Sequence, residues 1–133
     1  MSITKEMMEK LMSVGFRFEE FEGHLDSPGN VFFYNGVEHT IDGAWDGSPV
    51  GDEDKKIARE GLWLPDTDHL MLWLEWHDIS VNISYSSKDR YFHGDAKTED
   101  GKTFEGGGPD LQMCLYKLVL KVSRYLKENN IQY

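Results

Sequence analysis

From Leu111 to Leu126, apolar side chains return every three or four residues: Leu111, Cys114, Leu115, Leu118, Val122 and Leu126. This is the stripe of an amphipathic helix about four turns long. A helix of that length is marginal alone in water, so the stripe requires an apolar surface to lie on. Lys117, Lys121, Arg124 and Lys127 fall off the stripe, and the late positive charges suit a helix C-terminus. Gly106-Gly107-Gly108 precedes the stripe and reads as a turn or hinge, with Pro109 expected at the first helical position.

The matching surface lies just upstream. Ile79, Val81, Ile83 and Tyr85 alternate with Ser80, Asn82 and Ser84, which is the period of a half-buried strand. Ser86 to Asp89 turns the chain, Arg90 to Lys97 returns as a second strand, and Glu99-Asp100-Gly101-Lys102 is a second hairpin turn. Thr103-Phe104-Glu105 then begins a short edge strand. Residues 62–77 allow two readings. Pro65-Asp66-Thr67-Asp68 predicts a helix start with Asp66 or Thr67 as cap, placing Leu70, Trp73, Leu74 and His77 on one face. Leu70, Leu72, Leu74 and Trp76 also alternate as a buried strand would. The cap and the acidic first turn favour helix. Residues 62–127 thus predict helix, three-stranded antiparallel sheet and helix, with the Ile79–Tyr85 face buried under both helices.

In the first half, Thr4 can cap a helix over 4–14 carrying Met7, Met8, Leu11 and Met12, with Gly15 ending it. Phe16, Phe18 and Phe21 start a strand whose alternation breaks after Glu20, as at a bulge. Turn chemistry at 26–30 leads to a strand over Val31–Tyr34, the Asn35-Gly36 hairpin signal and a strand over Val37–Ile41. These three strands form an expected antiparallel meander. A Gly/Asp-rich loop covers 42–51, and a short helix begins at Asp52-Glu53-Asp54 and closes at Gly61. The 133 residues suit one α+β domain. Its subregions are 1–60, helix plus acidic meander, and 61–133, the α-β-β-β-α unit.

Residues 60–127 resemble the phage sandwich-domain family, small α-β-β-β-α domains of bacterial and phage proteins. The resemblance rests on Trp63-Leu64-Pro65 before the Thr67-Asp68 helix start, the polar-alternating strand, and the Gly/acid-rich link into a helix with Cys114 in its first turns. It implies helices on one side of a three-stranded sheet and a phage or bacterial context, with no activity to carry over. The double-stranded RNA-binding fold shares this order of elements, but its function needs basic phosphate contacts that this acidic chain largely lacks.

Charge is strongly segregated. Residues 18–54 hold ten acids and no Lys or Arg: Glu19, Glu20, Glu22, Asp26, Glu38, Asp42, Asp46, Asp52, Glu53 and Asp54. Phe18, Phe21, Phe32, Phe33, Tyr34 and Trp45 are interleaved, so the stretch reads as a folded anionic surface rather than a disordered tail. At net charge −10, binding of nucleic acid or of an anionic membrane is disfavoured. Cys114, the one cysteine, can form no intrachain disulfide and reads as an inert core thiol. No run approaches the ~18 apolar residues of a membrane span, and the charged N-terminal segment is unlike a signal peptide, so a cytoplasmic protein is expected.

Sites of chemistry are weak. Asp42, Asp46, Gly47 and Glu53 overlay positions 1, 5, 6 and 12 of a calcium loop, but Ala44 and Val50 stand where oxygen ligands belong. Asp66, Asp68, His69 and Glu75 are the acid–base set of a hydrolase-like alternative, against a plain reading as helix caps. The glycine run before the last helix is flanked by Glu105 and Asp110, which would repel a phosphate. Trp45, in a loop of Gly and Asp, either packs back onto the meander or anchors an interface. The function expected from these features is non-catalytic and needs no cofactor. An anionic aromatic face formed by Glu19, Glu20, Glu22, Asp26, Asp42, Trp45 and Asp46 would meet a basic protein partner, as an immunity protein or phage-encoded inhibitor does. The alternatives are a metal module using Asp42, Asp46 and Glu53, an enzyme, or acids that serve only solubility or pair with Lys117, Lys121 and Arg124.

Overall fold

The computed structural model describes residues 3–17, 30–41 and 52–129. In chain order the elements are α1 (Lys5–Ser13), β1 (Val31–Tyr34), β2 (Val37–Thr40), α2 (Asp52–Glu60), β3 (Leu62–Leu64), α3 (Thr67–Trp76), β4 (Ser80–Ser86), β5 (Tyr91–Lys97), β6 (Thr103–Gly108) and α4 (Leu111–Glu128). They make an α+β domain with two antiparallel three-stranded sheets, ordered β2-β1-β3 and β4-β5-β6. Among the described residues, no helix is long and apolar enough to cross a membrane.

Local chemistry explains most of the boundaries. The Thr4 hydroxyl accepts from the Met7 N–H and starts α1. Asn35 and Gly36 take φ of 51° and 84°, the left-handed pair that a two-residue hairpin between β1 and β2 requires. Asp66 caps α3, and Asp110 caps α4 by accepting from the Met113 N–H at 2.8 Å. Pro109 therefore stands before the cap instead of inside the first turn.

Three expectations are corrected. The side of β1 opposite β2 is taken by β3, with Phe32 facing Trp63, so the Phe16 run is not its partner. Phe16 lies outside any strand, and Phe18 and Phe21 lie outside the described residues. The ambiguous 62–77 segment divides: Leu62–Leu64 is a strand, and Asp66 then opens the expected helix. Gly106, Gly107 and Gly108 form no hinge but complete β6. The missing side chains of Gly106 and Gly108 let α4 settle on the sheet. A Cβ on Gly106 would come within 3.2 Å of Leu118, and one on Gly94 opposite it would lie 2.8 Å from Cys114 Sγ and 2.9 Å from Leu118 Cδ1.

One core joins all layers. Met8 and Leu11 of α1, Phe32 of β1, Ile57 of α2, Trp63 and Leu64 of β3, Trp73 of α3 and the α4 stripe from Cys114 to Leu126 belong to a single buried cluster, with Leu111 half-buried at its margin. Polar links fasten the N-terminal helix to the rest. Buried Ser123 donates to the Val14 carbonyl at 3.1 Å, Lys127 to the Ser13 carbonyl at 3.1 Å, and the Ile3 N–H to the Pro65 carbonyl at 3.1 Å. Helix α4 lies across β5 and β6 and packs against α3, which touches β4 only slightly. The Ile79–Tyr85 face is therefore covered unevenly. Ile79 is buried, Val81 and Ile83 are half-buried, and Tyr85 is 52% exposed, so burial under both helices holds at one end only.

The β5–β6 turn carries a titratable cluster. The Thr98 hydroxyl donates to Asp100 Oδ1, and the Tyr125 hydroxyl donates to Asp100 Oδ2 at 2.6 Å. Both bonds favour the carboxylate, Thr98 more strongly, and hold the Asp100 pKa below its ordinary value. The same bond pushes the Tyr125 hydroxyl up. A depressed carboxyl pKa stabilises the fold above the unfolded value of ~3.9, and this contribution is lost as pH falls through the lower folded value. Asp100→Asn should therefore lower the melting temperature by a constant, small amount from pH ~5 to ~8, because the group is exposed to solvent. The gap from wild type should close toward pH ~2. A gap that widens on acidification would contradict this sign.

Candidate binding surface

Glu19, Glu20, Glu22, Asp26, Asp42, Trp45 and Asp46 lie outside the described residues. The described members of the acidic stretch are Glu38 on β2 and Asp52, Glu53 and Asp54 in the first turn of α2. Glu38, Asp52 and Glu53 are exposed, and the α2 acids lie where a helix dipole favours negative charge. Glu53 thus sits on a helix, while its proposed calcium partners Asp42 and Asp46 fall outside the described residues. Among the described residues, no group of three His, Cys, Asp or Glu stands close enough to hold a metal ion.

The bases of α4 do not neutralise these acids. Lys121 donates to the Glu105 carbonyl and Lys127 to the Ser13 carbonyl. Among the described residues, no salt bridge joins Lys117, Lys121 or Arg124 to a carboxylate; the ion pairs there are Lys5–Glu9 and His69–Asp66.

The acid–base set is partly assembled, for capping. Asp66 Oδ1 accepts from the His69 N–H at 3.0 Å, and His69 Nδ1 accepts from the Asp66 N–H at 3.2 Å, a reciprocal capping box. The same Nδ1 lies 2.8 Å from Asp66 Oδ1, so protonation would turn it from acceptor to ion-pair donor. Trp63 packs edge-on against the His69 ring at 4.8 Å and fixes its orientation. Glu75 stands two turns along α3 from Asp68, roughly 10 Å of rise, away from the capping box. Cys114 is fully buried, and burial pushes its thiol pKa up against the opposing charge of Lys117. It is a packing residue, as its place on the stripe predicts.

Sequence reading did not single out the open face of the second sheet. Asn82, Asp95 and Glu105 stand side by side across β4, β5 and β6, all exposed. Asp95 directly opposite Glu105 is a like-charge cross-strand pair, which costs stability in an isolated sheet. Beside it, the Tyr91 and His93 rings pack at 4.9 Å over Gly107, where a Cβ would meet the Tyr91 ring at 2.6 Å. Tyr91, His93, Asp95, Glu105 and Gly107 line a shallow depression of about 380 Å³. The strand period places each of these residues on one face, but only the register sets Asp95 against Glu105.

Compared with models of protein families, with curated proteins and with solved structures, the chain matches none.

Proposed function

We propose that the protein is a small non-catalytic binding protein that meets a basic protein through its acidic lobe, in the manner of an immunity protein or a phage-encoded inhibitor. One observation carries the reading: Glu38, Asp52 and Glu53 are exposed, and none forms a salt bridge with a described base. Lys121 and Lys127 of α4 donate to backbone carbonyls, and half-buried Lys117 and exposed Arg124 form no salt bridge with a described carboxylate, so pairing with α4 does not account for these acids. An unneutralised anionic face accelerates encounter with a cationic surface, and an aromatic anchor such as Trp45 would supply the buried contact that slows release.

The test compares two variants of equal net charge against the basic partner captured from source lysate. One carries Glu19→Gln, Glu20→Gln, Asp42→Asn and Asp46→Asn. The other carries Glu6→Gln, Asp68→Asn, Glu99→Gln and Glu128→Gln, all outside the lobe. The lobe variant should associate about tenfold more slowly at low salt, with a flatter salt dependence, and the control should stay near wild type. Trp45→Ala should speed dissociation by an amount worth about 2 kcal/mol or more. Equal association rates for the two variants would assign the acids to solubility.

A further inference from the structure

The second sheet has two edges, and they are protected differently. In β6, Glu105 carries charge, the chain runs out in glycines, and Lys121 caps the Glu105 carbonyl. Strand β4 has none of these devices. Its sequence, Ser-Val-Asn-Ile-Ser-Tyr-Ser, contains no charged residue, proline or glycine in a chain that is 29% charged. Among the described residues nothing pairs with its outer side. A regular seven-residue edge without charge or bulge, and without cover among the described residues, is a template for another strand.

The register shows which backbone groups face outward. The Thr98 N–H bonds the Lys102 carbonyl at the β5–β6 turn, so Ala96, Gly94 and Phe92 direct their backbone groups to β6. Lys97, Asp95, His93 and Tyr91 then bond Ser80, Asn82, Ser84 and Ser86. The N–H and C=O groups of Val81, Ile83 and Tyr85 consequently point away from the sheet.

We propose that this edge pairs with the same edge of a second copy of the chain, antiparallel about a two-fold axis at Ile83. In that register every residue meets its own kind. Ile83 faces the partner's Ile83, Val81 faces the partner's Tyr85, Asn82 faces the partner's Ser84 and Ser80 faces the partner's Ser86. The outward-pointing groups of Val81, Ile83 and Tyr85 all fall in hydrogen-bonded pairs, so neither copy wastes a donor. The surfaces also fit as knob and groove. Tyr85, whose ring packs at 4.6 Å on Phe92, keeps 52% of its surface exposed, and a groove of about 450 Å³ between α3 and β4 is lined by apolar Met71, Leu74, Ile79 and Val81 with Glu75 and Asp78 at its side. Placed opposite Val81, the partner's Tyr85 reaches that groove, and the two-fold axis repeats the contact. The net charge of −10 per chain opposes association from a distance, an effect screened at ~0.15 M salt.

Sedimentation velocity of the full chain at ~0.15 M salt, from ~10 μM to ~1 mM, should show a reversible monomer–dimer equilibrium. Amide exchange at Val81, Ile83 and Tyr85 should slow as the dimer fills. The double variant Asn82→Lys with Ser84→Lys places like charges against each other across the seam. It should weaken the dimer at least about tenfold, while Asn82→Lys with Ser84→Glu, which pairs opposite charges, should restore it. Both side chains are exposed in the single chain, so thermal melts of the variants should confirm intact folds. A single one-chain species up to ~1 mM, or a dimer indifferent to the two-lysine variant, would overturn the proposal.

Discussion

Replacing Leu118 with alanine should cost about 2–5 kcal/mol in urea unfolding at constant m value. Leu118 is fully buried at the centre of the α4 stripe and lies over both Gly94 and Gly106. Truncation loses its transfer free energy and leaves a cavity between helix and sheet that the stiff β5–β6 pair cannot close. The same contact predicts the opposite injury. Gly94→Ala forces a methyl to within 2.8 Å of Cys114 Sγ and 2.9 Å of Leu118 Cδ1, and should cost about 1–3 kcal/mol by overpacking. Combined, Gly94→Ala and Leu118→Ala should cost less than their sum, because the added methyl enters space the leucine has left. Lys117→Ala, one residue away at the rim of the stripe, should stay within about 0.5 kcal/mol. Small and equal effects at Leu118 and Lys117 would show that the helix packs through another face.

Trp73→Ala should be at least as damaging, at about 3–5 kcal/mol, whereas Trp76→Ala should fall within about 1 kcal/mol. Trp73 is fully buried, with its ring 5.7 Å from Phe16 and 4.2 Å from His77, so it ties the segment after α1 to the middle of the fold. Trp76, three residues on, is 41% exposed. The contrast should appear in chemical denaturation and in near-ultraviolet circular dichroism, where loss of Trp73 removes one of two fully packed indoles and leaves the signal of Trp63. Comparable costs at the two positions would mean that α3 is rotated from the orientation described.

These two side chains also mark how far each level of information reaches. Leu118 was legible as a core residue because a stripe repeating at helical period has one buried solution. The Asn35-Gly36 turn, the Thr4 cap, α2 and the alternation of β4 were legible for the same reason: each depends on chemistry within a few residues. Strand β3 was not, since three residues are too few to carry a period, and Leu62–Leu64 is a strand only because β1 offers it a free edge. The glycine run at 106–108 misled because glycine composition resembles a loop. Its reason is the approach of Cys114, Leu118 and Met113 from α4 at Gly106 and Gly108, and of the Tyr91 ring on the other face at Gly107, contacts between segments that sequence spacing does not encode.

The candidate surfaces divide along the same line. Composition alone established an acidic chain with its negative charge gathered in residues 18–54 and its α4 face basic. It could not tell whether those charges neutralise each other, because that depends on distances across the fold. Tertiary structure decided it for the described residues: Lys121 and Lys127 reach backbone carbonyls, and the exposed acids of β2 and α2 form no salt bridges with them. The Asp95–Glu105 pair and the uncharged β4 edge belong wholly to tertiary structure. Alternation assigns side chains to faces, but register and strand order, set by packing against α4, determine which carboxylates become neighbours and which strand stands at the sheet edge among the described residues.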